Sequence, residues 1–62
     1  MSKLFVSFLG RKVKVPYTDG EQLKVARGVL EDVSPSFIRV KGNLGVIVIN
    51  KRNIEKLTEI GM

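Results

Sequence analysis

The run Asn50-Lys51-Arg52-Asn53 sets two cations between two carboxamides. Carboxamides carry donor and acceptor groups that match base edges, while ammonium and guanidinium groups neutralise phosphates. A little upstream, Ser34-Pro35-Ser36-Phe37 supplies hydroxyls and an aromatic ring. An aromatic beside such a loop can stack on an unpaired base for about 1–3 kcal/mol, although Phe37 also opens an apolar alternation and so suits a core. Tyr17, at a strand end, suits amphipathic packing better than recognition. A second basic group lies nearer the start, where Lys12 and Lys14 alternate with Val13 and Val15. If the valines turn inward, both lysines share a solvent face. Residues 1–28 hold six basic and two acidic side chains and the remainder five and four, so most of the +5 net charge belongs to the first half.

Other chemistries lack their parts. The chain has no His and no Cys, which removes disulfides, Cys/His zinc sites and the commonest acid–base and nucleophilic groups. No glycine-rich loop ends in Gly-Lys-Ser or Gly-Lys-Thr, and no serine sits in a nucleophile elbow. Glu31 and Asp32 are adjacent, so in a strand they point to opposite faces and cannot share a proton. We expect no catalysis and no cofactor.

The elements that must position these groups are short. Leu4, Phe5, Phe8 and Leu9 mark one face of a small helix, with Ser2 as N-cap and Gly10 as its stop. From Arg11 the period becomes two: Val13, Val15 and Tyr17 predict a strand with one buried face, and Pro16 places part of it at an edge. Thr18-Asp19-Gly20 reads as a turn. Residues 21–33 form a long strand with Leu23, Val25, Val29 and Val33 on alternate positions and a bend or bulge at Gly28. After Ser34-Pro35-Ser36, a strand over residues 37–41 turns at Gly42-Asn43 into another over residues 44–49, and residues 54–57 give a last short strand. The resulting expectation is all-β: one domain over residues 1–62, a small five-stranded SH3-like or Sm-like barrel with a short N-terminal helix.

With 44% hydrophobic and 27% charged residues in 62, the chain should fold. At this size only about 60% of the unfolded surface is buried, so the core is marginal. The apolar run around Val46-Ile47-Val48-Ile49 is far below the roughly 18 residues of a membrane span, and the apolar start runs into Arg11-Lys12 without a small-residue cleavage site. A cytoplasmic, membrane-free protein is expected. Leu44–Ile49 is uncharged, strongly β-prone and apolar at odd and even positions, which predicts cover on both faces; left at a free edge it would invite aggregation.

The order Leu9-Gly10-x-x-Val13-x-Val15, Asp19-Gly20, Gly28-Val29-Leu30 and Val48-Ile49-Asn50-Lys51-Arg52-Asn53-Ile54 resembles the Sm/LSm family over nearly the whole chain. Gly28 and Leu30 match its first motif, whose loop aspartate falls here on Ser34, a departure from the family pattern, or on Asp32 with a shifted alignment. The second motif is similar to two versions, the archaeal and eukaryotic Ile-Arg-Gly-x-Asn, through Asn53, and the Tyr-Lys-His of Hfq, through Lys51, with Arg52 at the histidine. The resemblance implies a homo-oligomeric ring, closed by pairing strand 44–49 with strand 54–57 of a neighbour. It also implies binding of single-stranded U-rich or A/U-rich RNA by Asn50, Lys51, Arg52, Asn53, Ser34 and Phe37. Two other classes fit the composition: a basic barrel that binds duplex DNA through Arg11, Lys12, Lys14, Lys24 and Arg27, and a protein-interaction module whose charge serves solubility.

Overall fold

A computed structural model describes residues 5–60. They form a mostly β architecture: a single-turn 3-10 helix η1 (Phe5–Phe8), strands β1 (Lys12–Asp19), β2 (Gln22–Val33), β3 (Phe37–Gly42) and β4 (Gly45–Asn50), a second 3-10 turn η2 (Lys51–Asn53), and a two-residue strand β5 (Thr58–Glu59). The strands make one antiparallel sheet in the order β4-β3-β2-β1-β5. β4 and β5 are its two edges and do not pair with each other, so the sheet is not closed.

β1 follows the period of its sequence. Val13 and Val15 are fully buried, Tyr17 packs on the core, and Lys12 and Lys14 face outward. The Pro16 carbonyl accepts the Glu55 N–H at 2.9 Å, so the Pro16 nitrogen also faces the β5 side and the ladder to β2 loses no donor. That missing N–H explains why the last strand is not at 54–57 as predicted. Ile54 makes an isolated bridge to Tyr17, and pairing resumes past Pro16, where Lys14 meets Thr58 and Val13 meets Glu59.

β2 departs from its expected face. Its inward residues are Ala26, Gly28 and Leu30, which register against Val15, Val13 and Val40, while Leu23, Val25 and Val29 are exposed. A one-residue slip exchanges the faces of a strand, and Leu30 together with the β1 valines outweighs the apolar residues on the other parity. The bulge predicted at Gly28 falls instead at Glu31, where the β2–β3 register shifts between Leu30 and Asp32. The extra residue reverses parity, which brings Val33 onto the core opposite Ile38. Gly28 has a different task, since a Cβ there would lie 2.1 Å from the Lys41 carbonyl oxygen and 3.0 Å from the Gly42 Cα.

Three further expectations are corrected. The N-terminal helix is one 3-10 turn over residues 5–8, ended by Gly10 at φ 81°, and its proposed Ser2 cap and Leu4 lie outside the described residues. The β3–β4 hairpin turns at Asn43-Leu44, one residue later than predicted, between the paired Gly42 and Gly45. β4 is not covered on both faces: only Ile49 is buried, and Val46, Ile47 and Val48 are 50%, 40% and 59% exposed. Phe5, Val13, Val15, Ala26, Leu30, Ile38, Val40, Ile49 and Ile54 form the core. No described helix is long and apolar enough to cross a membrane.

Candidate functional site

The loop after β2 and the turn after β4 meet at one end of the sheet. β3 and β4 run antiparallel with Phe37 opposite Asn50, so the residues before Phe37 and those after Asn50 must be neighbours. The Lys51 N–H donates to the Ser36 carbonyl at 2.9 Å, and the Ser34 N–H donates to the Phe37 carbonyl at 2.8 Å. An open depression of about 440 Å³ is lined there by Pro35, Ser36, Asn50, Lys51 and Arg52.

The six residues singled out in the sequence take different positions around it. Asn50, Lys51 and Arg52 line the depression. Asn50 and Arg52 are exposed, while Lys51 is half-buried because its Nζ stands 5.6 Å from the centroid of the buried Phe5 ring. That cation–π contact, worth about 0.5–1 kcal/mol at such a site, holds one charge against η1 and leaves Arg52 as the more exposed one. Asn53 is turned to another side: it lines a separate recess with Tyr17, Thr18 and Asp19, and its carbonyl accepts the Thr18 hydroxyl at 3.4 Å. Ser34 braces its loop through the backbone. Phe37 is half-buried on the outer face of β3, beside Asn50, and is not part of the core. Pro35 and Ser36 reach the depression without having been singled out, because turn formers carry no chemical signature of a site.

Ion pairing divides the remaining charges. Arg11 Nη1 donates to Glu59 Oε2 at 3.0 Å, Lys24 Nζ to Asp19 Oδ2 at 2.8 Å, and Arg39 Nη2 lies 3.6 Å from Asp32 Oδ2. The hydrogen bond that Lys24 donates to Asp19, and the charge of that carboxylate, raise the Lys24 pKa above the ordinary lysine value. Lys51 and Arg52 have no carboxylate partner among the described residues, so their charge is available to an anion. Among the described residues no group of three or more acidic side chains could hold a metal. No polar or charged residue among those described is buried.

No protein-family model matches the chain, and no curated protein or solved structure matches it either.

Proposed function

We propose that this chain is a non-enzymatic, Sm-like protein, built on its open five-stranded sheet, that assembles into a homo-oligomeric ring and binds single-stranded, U-rich or A/U-rich RNA at the junction of the 34–36 loop and η2. The observation that carries the reading is the backbone tie from Lys51 to Ser36, which brings the loop after β2 and the run Asn50-Lys51-Arg52 to one depression with two carboxylate-free cations. Arg52 and Lys51 neutralise phosphates, the Asn50 carboxamide addresses a base edge, and Phe37 offers a ring on the same outer face. Assembly follows from the edges. β4 has exposed valines and an unpaired edge, and β5 has an unpaired edge of its own. Pairing β4 of one copy with β5 of the next is a head-to-tail contact, and such contacts form a ring where the rotation between copies closes. A ring repeats the depression around one axis and concentrates its positive charge.

The test is solution mass by light scattering on nuclease-treated protein, followed by titration with oligo(U) and with Arg52→Ala. A discrete multimer that binds oligo(U), and loses about tenfold in affinity with Arg52→Ala, is the expected result. A 6.9 kDa monomer, or oligo(U) binding indifferent to Arg52, would overturn the ring or the site respectively.

A further inference from the structure

Four of the cations that the loop-end depression leaves unused, Lys12, Lys14, Arg27 and Lys41, are gathered on the opposite end of the outer sheet face. Lys12 pairs with Val29, Val29 with Lys41 and Lys41 with Val46, so one row across β1 to β4 alternates lysine and valine. In the next row Lys14 stands directly opposite Arg27. Lys41 is four residues along β3 from Phe37, about 14 Å at the rise of a strand, so the patch is separate from the 34–36 loop. An open groove of about 530 Å³ runs through it, lined by Lys12, Arg27 and Lys41 and floored by the close crossing of Gly28 and Gly42.

The carboxylates are placed elsewhere. Glu59, Asp19 and Asp32 neutralise Arg11, Lys24 and Arg39, whereas Lys12, Lys14, Arg27 and Lys41 have no acidic partner among the described residues. Like charges directly opposite each other destabilise a sheet. The Lys14–Arg27 pair therefore carries repulsion that a bound anion relieves.

We propose that this outer face is a second nucleic-acid site, one that takes the sugar-phosphate backbone of a double helix. The choice of a duplex follows from the side chains. Single-strand sites combine cations with aromatic rings on which unpaired bases stack, and the two rows hold only Lys, Arg and Val. In a duplex the bases are already stacked on each other and the phosphates face outward, so cations alone suffice. Arg11 and Lys24, neutralised by their own carboxylates, are not part of the site, and Lys41, which lies outside the basic first half of the chain, is.

The test uses the full chain with fluorescent duplex DNA, duplex RNA and oligo(U), titrated at several salt concentrations. The variants are Lys12→Gln/Arg27→Gln/Lys41→Gln and, separately, Arg52→Gln; all these side chains are exposed or at the loop-end depression, and circular dichroism checks that each variant is folded. With four cations on phosphates, wild-type affinity for a duplex should fall about 150-fold between about 50 mM and 200 mM salt, and in the triple variant only about 3.5-fold. Binding of oligo(U) should be unchanged in the triple variant, and duplex binding unchanged in Arg52→Gln. No duplex binding at low salt, or duplex binding that keeps the wild-type affinity and salt dependence in the triple variant, overturns the proposal. So does a triple variant that loses oligo(U) and duplex alike, since the two sites would then be one. Duplex binding without oligo(U) binding would keep this site and remove the loop-end one. Equal loss for DNA and RNA duplexes supports pure backbone contact, and loss confined to one identifies the duplex this face accepts.

Discussion

Gly28→Ala tests the backbone crossing beneath the outer groove. The added methyl would sit 2.1 Å from the Lys41 carbonyl oxygen, 2.6 Å from its carbon and 3.0 Å from the Gly42 Cα. All three are backbone atoms held in the β2–β3 ladder, so no side-chain rotation relieves the overlap. Relief requires β2 and β3 to separate next to Leu30 and Val40, which are fully buried. Overpacking a core costs about 1–3 kcal/mol and sometimes more; backbone overlap belongs at or above the top of that range, about 3 kcal/mol. A domain of 62 residues has only about 3–9 kcal/mol to lose. With a urea m-value of about 1 kcal/mol/M the midpoint should drop by about 3 M or folding should fail. Gly20→Ala is the internal comparison: its φ is 65° with nothing within 4 Å of the added Cβ, so only the left-handed backbone penalty of about 1–2 kcal/mol applies. Both are measured at one protomer concentration, because assembly shifts apparent stability. Equal losses for the two variants, or a Gly28→Ala midpoint within about 0.5 M of wild type, would refute the steric account of the crossing.

Lys51→Ala should weaken oligo(U) binding and also lower stability by about 0.5–1 kcal/mol, because it removes the cation over the Phe5 ring; Arg52→Ala should weaken binding with an unchanged thermal midpoint. Val48→Lys places a charge on a 59% exposed position of the edge strand β4, and light scattering should then show the multimer reduced to a folded 6.9 kDa chain. Lys24 should titrate above the ordinary lysine value, and Asp19→Asn should lower its midpoint in an NMR titration. Because the folded-state pKa is raised, the stabilisation from this pair is complete below the ordinary lysine pKa and is lost as pH rises through the raised one. An unchanged Lys24 midpoint in Asp19→Asn would disprove that coupling.

β1 was legible because Val13, Val15 and Tyr17 repeat with period two against lysines, and nothing on the other parity competes. β2 was not, because both parities are apolar: Leu23, Val25 and Val29 on one, Ala26 and Leu30 on the other. Only pairing to β1 decides between them, and pairing is not local. The bulge at Glu31 carries no glycine or proline to announce it, whereas Gly28 announces a special position without saying which. A Cβ clash with a strand distant in sequence reads in sequence like a bend. At the loop end, the chemistry of Asn50, Lys51 and Arg52 was legible from residue type. The turning away of Asn53 and the docking of Lys51 on Phe5 were not, because both are set by where η2 crosses β1 and η1. Lys41 was missed as a partner of Lys12 and Arg27 because it lies outside the N-terminal half in which the charge accumulates.

The two edges of the sheet are unlike, and the difference bears on how the chain assembles. Soluble proteins blunt an exposed edge with charge, proline, a bulge or brevity. β5 has brevity, with two residues, and a glutamate; β1 beside it has Pro16 where pairing lapses. β4, Gly-Val-Ile-Val-Ile-Asn, has none of these devices, and its exposed Val46, Ile47 and Val48 continue into the fully exposed Leu44. A sequence that protects one edge and leaves the other bare disfavours β4-to-β4 pairing least of all the possible contacts, so a symmetric dimer competes with the proposed ring. A β4-to-β4 dimer buries each β4 against its twin and leaves the rest of the chain unchanged, whereas a head-to-tail ring also consumes the β5 edge. Glu59→Pro therefore discriminates: it blocks pairing on the outer side of β5, and it should abolish a ring while sparing a dimer.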